Sequence, residues 1–279
     1  MSMKEPKLSI IIPWRNRPEI QTTLQANQSI FNAHDVEVIV VNCGGDNEQI
    51  LKASAGTKIK QLQCLELGSG QFNKALALNI GAFAARSKRL FFLDTDILLK
   101  EDFLSSALAM LDEGCFVTVD RVFESQQGTK AEPGYLEEFA HVIELLGKDN
   151  RKARIETNRV RFSEASRSAP GLVMLERQHF LQVEGMNSDL EGWGWEDLDL
   201  LVRLQFVLNI SQRRTGAVVH LTHSDQSRNL GGQTRTASEQ LNSSICIENY
   251  RVGHFLGTYS DDAARWSDKL VAHRTGKYP

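Results

Sequence analysis

The stretch RLFFLDTD, residues 89–96, places a short apolar run directly before two aspartates separated by one residue. A short apolar run without polar alternation is typical of a strand that is buried on both faces of a sheet. In open parallel sheets, ligands bind just outside the carboxyl ends of the strands. The stretch therefore predicts a buried strand that carries Asp94 and Asp96 to a binding edge.

Similar runs lie on both sides of this one and alternate with segments of helical character. Further strands are predicted at 8–13, 36–41, 59–67, 115–120, 171–176 and 216–223. Helices are predicted at 18–31, 72–87, 101–114, 134–148, 177–185, 195–209 and 237–252. This alternation predicts an α/β fold with a mostly parallel central sheet that is flanked by helices.

Composition narrows the class of protein. The 279 residues are 41% hydrophobic and 24% charged, which is ordinary for a globular protein, and the net charge of −3 gives no indication of nucleic-acid binding. No apolar run is long enough for a transmembrane segment. The four cysteines are scattered, with no CxxC pair, so we expect free thiols in a reducing compartment.

Three short polar motifs follow predicted strands, and each has a plain structural alternative. Asp94 and Asp96 can offer oxygens to a hard divalent cation, or can cap a turn. The histidines of HLTH, His220 and His223, can bind Mn²⁺ or Zn²⁺, or one can pack while the other is solvated. In PWRNR (13–17), the arginines match phosphate oxygens and the tryptophan can stack on a base, or the segment is a surface turn.

A fourth motif, GWGWEDLDL (192–200), crowds two tryptophans with carboxylates. A sugar would need such a pair of features, because its C–H faces stack on aromatic rings and its hydroxyl groups need acceptors. The alternative is a solvated helix start, where acidic residues are favoured. Asp199 precedes Arg203 by four residues, and an ion pair along the helix explains it. All these motifs share one predicted sheet edge, which favours a site for a charged nucleotide ligand, a metal and a sugar.

The order of these motifs resembles that of the GT-A glycosyltransferases, most closely the β-1,4-galactosyltransferase and N-acetylhexosaminyltransferase type, with much shared by the family-2 enzymes. SIIIPWRNRPEIQTTL (9–24) is similar to the family's opening segment, and QFNKALALNIGAFAA (71–85) to a helix near the donor. FFLDTDILL (91–99) is similar to the strand with the metal motif. The segments 171–204 and 218–224 are similar to the family's acceptor motif and its last metal-binding segment.

The resemblance implies an inverting glycosyltransferase with Mn²⁺ or Mg²⁺ as cofactor. It implies Asp197 as the catalytic base, with Glu196 binding acceptor hydroxyls beside Trp193 and Trp195. The implied metal ligands are Asp96 and His223, with Asp94 and His220 as further candidates. The implied donor contacts are Pro13, Trp14, Arg15, Arg17, Asn42, Asn73, Lys74, Asp94, Thr95 and Trp195.

Several positions depart from the family's pattern. GWGWED is one glycine shorter than the family's motif, His220 stands where the family has methionine, and Lys74 replaces an arginine. The turn NCGGD (42–46) lacks the usual aspartates, which leaves the nucleotide open. The expected donor is a nucleotide-diphospho-sugar, with UDP-galactose, UDP-GalNAc and UDP-GlcNAc as candidates. The expected partner is a carbohydrate or glycoconjugate acceptor.

We expect one GT-A domain over 1–279. Its parts are a nucleotide-sugar-binding half (8–120), an insertion over the sheet edge (121–168), an acceptor and catalytic half (169–236) whose loop 224–236 closes over the donor, and a C-terminal helical extension (237–279). The expected location is the cytoplasm or the inner face of a membrane.

Two alternative functions stay open. One is a metal-dependent phosphatase of the haloacid dehalogenase type, which also has D-x-D after a strand. The other is a non-catalytic nucleotide-sugar-binding protein.

Overall fold

The computed structural model describes residues 5–68, 70–111, 114–126, 134–223 and 234–275. The strands are β1 (Leu8–Trp14), β2 (Val36–Cys43), β3 (Leu62–Leu67), β4 (Arg89–Phe92), β5 (Ile97–Leu99), β6 (Phe116–Glu124), β7 (Glu138–Leu146), β8 (Lys152–Arg161), β9 (Ser166–Glu176), β10 (Gln212–His220) and β11 (Val271–Thr275). The helices are α1 (Glu19–Ala33), α2 (Asn47–Ala55), α3 (Lys74–Ala84), α4 (Phe103–Leu111), α5 (Arg177–Gln182), α6 (Glu196–Leu208), α7 (Arg235–Arg251) and α8 (Tyr259–Trp266).

These strands form one sheet in the order β11-β3-β2-β1-β4-β9-β6-β10-β5, and the hairpin β7–β8 joins it through β9. The strands β3, β2, β1 and β4 are parallel, as are β6 and β10. The other neighbours pair antiparallel. The predicted α/β fold with a central sheet is confirmed, whereas the sheet is mixed rather than mostly parallel.

The first strand shows why the sheet is a middle layer. All seven residues of β1 are buried, and successive side chains point to opposite faces. Ile10 and Ile12 belong to a core cluster that also contains Phe31 of α1 and Phe103 of α4. Ile11 belongs to the cluster on the other face, with residues of α3 and α6. The sheet therefore lies between two packed layers of helices, and these layers fix the strand ends that carry the candidate site.

The segment predicted as an insertion differs from expectation. The helix predicted at 134–148 is wrong, because β7 occupies residues 138–146 and pairs along its whole length with β8. Most of β7 is exposed, so its apolar residues show neither a clear strand period nor a clear helix period. Pairing with β8 is what makes this segment a strand rather than a helix. Buried Ala153 and Ile155 of β8 hold the hairpin on the body of the protein.

The C-terminal segment is helical but also returns to the sheet. Strand β11 pairs antiparallel with β3, from Val271 opposite Glu66 to Thr275 opposite Leu62. Each of the four predicted segments thus contributes at least one strand to the same sheet. The single domain over 1–279 stays a prediction.

Two further findings concern the chain as a whole. Among the described helices, none is both long and apolar enough to cross a membrane. The four cysteines are all buried.

Candidate functional site

The parallel strands end at one edge of the sheet, beside a cavity of about 880 Å³. Residues from β1, from the turn between β4 and β5, from the ends of β6 and β10, and from the start of α6 line it. The predicted site residues on this lining are Pro13, Arg15, Arg17, Lys74, Asp94, Thr95, Asp96, Trp193, Trp195, Glu196, Asp197, His220 and His223. Most of the residues singled out by motif are therefore brought together.

A candidate metal-binding cluster lies in the lining of the cavity. One ligand atom from each of Asp96, His220 and His223 lies within 4.8 Å of the others. The Nε2 atom of His223 is 3.1 Å from Asp96 Oδ2, and the Nε2 atom of His220 is 3.6 Å from the same oxygen. Two imidazoles and one carboxylate suit a divalent transition metal such as Mn²⁺.

Local pairing of the backbone builds this cluster. Strand β5 runs antiparallel to β10, so Ile97 lies opposite His220. The backbone N–H of Leu221 donates to the carbonyl oxygen of Asp96 at 2.7 Å. The short strand after the D-x-D motif thus fixes the two histidines against the second aspartate.

The histidine His220 is oriented from behind by a carboxylate. Its Nδ1 atom lies 2.7 Å from Oε2 of Glu124, the last residue of β6, and its Nε2 atom faces Asp96. Metal-binding histidines usually use their second ring nitrogen in this way, which fixes the ring and the tautomer. The residues present fit a divalent cation, with Asp96, His220 and His223 as ligands and Glu124 as support.

The charges around Asp96 set its protonation. Burial alone would raise the pKa of this carboxyl, but the hydrogen bond and charge of His220, together with the charges of Arg17 and His223, lower it. For His220, burial alone would lower the pKa, but the hydrogen bonds to Asp96 and Glu124 raise it. Arg17 contributes an ion pair, its Nη2 lying 3.0 Å from Asp96 Oδ2. The cluster thus keeps an ionised carboxylate available for a cation.

A second charged group lies at the start of α3 and α6. The ammonium of Lys74 is 3.1 Å from Asp94 Oδ1 and 3.9 Å from Glu196 Oε1. Burial alone would lower the pKa of Lys74, but the charges of Asp94 and Glu196 raise it, so the lysine stays charged. Lys74 therefore links the D-x-D motif to the acidic start of α6.

Glu196 is the most perturbed carboxyl of the cavity. Burial, and then the neighbouring charge of Asp197, raise its pKa from the ordinary value of 4.5 to about 7. Its buried Oε2 atom has no hydrogen-bond partner among the described residues. An unsatisfied buried oxygen in a cavity is suited to a hydroxyl group of a ligand.

The backbone before α6 is held in a strained form. Trp195 precedes the helix with φ at +72°, after Gly192 at +80° and Gly194 at +94°. A left-handed conformation at a bulky residue costs about 1–3 kcal/mol and occurs mainly at functional sites. The two glycines reach these angles without strain, and the turn delivers Trp195, Glu196 and Asp197 to the cavity in succession.

Asp197 depends on a glycine in the neighbouring strand. Its Oδ1 atom accepts a hydrogen bond from the backbone N–H of Leu198 at 2.9 Å. A Cβ atom added at Gly171 of β9 would overlap the carboxylate of Asp197. The absent side chain at Gly171 is therefore what gives this carboxylate its place in the cavity.

The other tryptophan, Trp193, is held by the C-terminal helices. Its backbone N–H donates to Ser238 Oγ at 2.7 Å, and the guanidinium of Arg235 lies 3.9 Å from the centre of its ring.

The predicted ion pair between Asp199 and Arg203 is present at 2.8 Å and is buried. The loop 224–233, part of the predicted lid, lies outside the described residues.

Three predicted donor contacts do not line the cavity. The ring of Trp14 is fully buried in the core, and its Nε1 donates to the carbonyl of Arg17. The side chain of Asn42 hydrogen-bonds Gly45 and so shapes the turn after β2. The side chain of Asn73 caps α3 and donates to the carbonyl of Ser188. These residues support the walls rather than face the cavity.

Other lining residues were not predicted. They are Glu124 behind His220, Gly171 beside Asp197, Arg235 on Trp193, and residues of the hairpin β7–β8. Gly171 was visible in sequence as the start of a predicted strand. The other contacts depend on pairing between distant segments, for which the sequence gives no local signal.

Comparison with known proteins agrees with this geometry. The sequence profile of glycosyl transferase family 2 matches residues 9–182, and that of the N-terminal domain of galactosyltransferase matches residues 151–224. No curated protein matches the chain in a sequence search.

The structure is similar to that of GalNAc-T7 with UDP, GalNAc and Mn²⁺. The TM-score is 0.61 at 12% identity, over 94% of this chain and 57% of that chain, so the chain spans less than two thirds of that relative. For a mutant Drosophila β-1,4-galactosyltransferase 7 with manganese, UDP-Gal and xylobiose, the TM-score is 0.49 at 15% identity, over 82% of this chain and 76% of that chain. For residues 1–349 of TarS from S. aureus, the TM-score is 0.48 at 15% identity, over 88% of this chain and 72% of that chain. The likeness to GalNAc-T7 confirms the predicted GT-A fold.

Proposed function

This chain belongs to glycosyl transferase family 2, and we propose that it is an inverting, metal-dependent glycosyltransferase. The donor is a UDP-sugar carrying a hexose or an N-acetylhexosamine, and the acceptor is a sugar hydroxyl of a polysaccharide or glycoconjugate. One observation carries the proposal: a single cavity holds the cluster of Asp96, His220 and His223 together with the carboxylates Glu196 and Asp197.

The donor side of the cavity is the edge formed by β1, β5 and β10. Asp96, His220 and His223 would hold Mn²⁺, or Mg²⁺ in its place, and imidazole ligands favour Mn²⁺ of the two. A divalent cation bound there supplies stabilisation of the negative charge that grows on the departing diphosphate. GalNAc-T7, which shares the fold, holds UDP and Mn²⁺.

Cationic side chains of the protein support the same diphosphate. Arg17, at the end of β1, lines the cavity 3.0 Å from Asp96 and offers its guanidinium to phosphate oxygens. Lys74 is partly buried between Asp94 and Glu196 and brings a positive charge to the lining of the cavity. The two cations and the D-x-D motif thus orient the donor before any acceptor binds.

The acceptor side is the start of α6 with strand β9 behind it. Trp193 and Trp195 offer ring faces to a sugar, and Glu196 offers an oxygen without a partner to its hydroxyl groups. Asp197 removes the proton from the attacking hydroxyl group, a role worth about 10²–10⁴-fold in rate. Attack from this side displaces the diphosphate from the other, and the anomeric carbon inverts.

A donor screen tests the proposal. The protein with Mn²⁺ is incubated with UDP-galactose, UDP-GalNAc, UDP-GlcNAc and other nucleotide-sugars, and release of UDP is measured with and without sugar acceptors. Transfer with one preferred donor supports the proposal, and NMR of the product should show the anomeric configuration opposite to that of the donor. Phosphate release from p-nitrophenyl phosphate without any acceptor would favour a phosphatase instead. Donor binding without turnover would favour a non-catalytic binding protein.

The role of Asp197 has its own test. Asp197→Asn should lower transfer by about 10²–10⁴-fold, because the amide cannot take the proton, while the Kd for the donor changes little. Glu239→Gln, on an exposed residue of the same cavity, is the control and should retain activity. Full turnover by Asp197→Asn would show that another group is the base.

The cellular setting is inferred from the thiols. The four cysteines are scattered along the sequence with no CxxC pair, which suits a reducing compartment, and we place the reaction in the cytoplasm or at the inner face of a membrane.

A further inference from the structure

The hairpin β7–β8 forms one wall of the cavity. The function proposed above assigns no role to this wall. Five of its side chains line the cavity and are named here the hairpin wall: His141, Val142, Ile143, Thr157 and Asn158. The wall lies on the side of β9 and α6, because β8 pairs with β9 and packs on α6. It therefore borders the acceptor side rather than the donor side.

A β-bulge lies within the hairpin wall. His141 pairs with Asn158 and Val142 pairs with Glu156, so Thr157 is an extra residue without a direct partner. Bulges redirect side chains that a regular strand would point to opposite faces, and they are frequent beside binding sites. The bulge accounts for the presence of Thr157 and Asn158, which are neighbours along β8, on the same wall.

The hairpin is fixed to the body of the protein rather than free. Arg161 pairs with Asp120 at 2.9 Å and with Glu138 at 3.1 Å, which joins both strands of the hairpin to β6. The backbone N–H of Arg159 donates to Ser168 Oγ at 2.8 Å. A wall held this way presents its side chains in a constant position, as a binding surface requires.

The chemistry of the hairpin wall differs from that of the rest of the cavity. None of its five residues is a carboxylate, a lysine or an arginine, whereas the donor side carries Arg17, Asp96 and Lys74. The wall offers an amide, a hydroxyl group, an imidazole and two aliphatic side chains. The imidazole of His141 also packs edge-on against Phe139, with ring centres 4.7 Å apart. Hydrogen-bonding groups beside apolar surface, without a carboxylate, lysine or arginine among them, suit an uncharged sugar.

The position of the wall indicates which sugar it contacts. Strand β9 runs along the cavity from Ser168, beside the hairpin, to Gly171, beside Asp197. Three residues of strand span about 10 Å, which is longer than one pyranose ring. The cavity of about 880 Å³ is near the upper end of the range of about 300–1,000 Å³ for small-ligand sites, so it has room for more than the donor.

We propose that the hairpin wall is a subsite for the second sugar of the acceptor, contacted by His141 and Asn158, so that the natural acceptor is an oligosaccharide rather than a single sugar. The proposal rests on the proposed function, since it needs Asp197 to mark the position of the reacting sugar. It adds a length requirement to that function, which neither the metal cluster nor the carboxylates impose.

The test compares sugars of one and two units. With UDP and Mn²⁺ present, binding of galactose and lactose, of N-acetylglucosamine and chitobiose, and of xylose and xylobiose is measured by saturation-transfer NMR. At least one disaccharide should bind about tenfold more tightly than its monosaccharide. The double variant His141→Ala/Asn158→Ala should lose that difference and leave monosaccharide binding unchanged. Glu144→Ala, an exposed hairpin residue outside the wall, should keep the difference.

The outcomes separate this proposal from the function on which it rests. Equal affinity for one and two units across all three pairs, or a length difference that survives in the double variant, would overturn the subsite. Hydrolysis of the preferred UDP-sugar is measured in parallel on the same variants and should stay at the wild-type rate. Failure of the wild type to turn over any nucleotide-sugar would instead overturn the proposed function.

Discussion

Replacing Glu196 by glutamine should change how the stability of the protein depends on pH. The carboxyl is 8% exposed, and burial followed by the charge of Asp197 raises its pKa from 4.5 to about 7. The unfolded chain exposes the same group to water, where it titrates near 4.5. The folded protein thus holds this proton more tightly than the unfolded chain does.

The sign and the size of the effect follow from this difference. The contribution to stability is fully present below pH 4.5 and is lost as the pH rises through about 7. At about 1.4 kcal/mol for each tenfold difference in proton affinity, the loss is about 3 kcal/mol. The amide of Glu196→Gln does not titrate. The variant should therefore gain up to about 3 kcal/mol relative to wild type between pH 4.5 and pH 8.

The assay is urea unfolding of both proteins at pH 4.5, 6 and 8 with a chelator present, because the free energy of unfolding falls linearly with urea. Glu239→Gln is the control, since the exposed carboxyl of Glu239 meets water in both the folded and the unfolded chain. A difference between Glu196→Gln and wild type that is the same at all three pH values would refute the reasoning.

Three further substitutions test other parts of the structure. His223→Ala removes one of the three candidate ligands and should weaken Mn²⁺ binding in isothermal titration calorimetry by at least the roughly 10–100-fold that loss of a residue supporting a ligand costs; an unchanged Kd would remove this residue from the ligand set. Arg203→Met removes the ion-pair partner of buried Asp199 and should lower the free energy of unfolding by about 3–5 kcal/mol in urea, and a loss below about 1 kcal/mol would contradict this. Gly171→Ala places a methyl group against Asp197 and should lower transfer by about 100-fold at constant donor affinity, so wild-type kcat in this variant would exclude the proposed crowding.

The parts of the fold that the sequence predicts are those determined by burial. Strands such as VEVIVV (36–41) are buried on both faces and read as apolar runs, and the D-x-D motif follows one of them. The hairpin could not be predicted in this way. Its first strand, EFAHVIELL (138–146), is mostly exposed, and only pairing with β8 distinguishes it from a helix.

The residues of the candidate site also fall into two groups: those that the sequence predicts and those that only strand pairing places. Asp96 comes after a buried strand, and His220 and His223 lie at and just after the end of a half-buried one. Their positions at strand ends indicated that they meet. Glu124 was missed because the predicted strand ended at 120, four residues early. The strand continues through polar residues because β10 pairs with it as far as Glu124. A contact of this kind is set by register between distant strands and leaves no trace in the local sequence.

The pairing of β11 with β3 has a consequence for how the protein is made. The outer edge of β3 receives its partner only after about 200 further residues have been synthesised. At about 5–20 residues per second, that interval lasts about 10–40 s. During this time a strand of the nascent sheet presents unpaired N–H and C=O groups, which can pair with other chains. The order in which this chain leaves the ribosome therefore leaves one edge of β3 open to such pairing until residues 271–275 have been made.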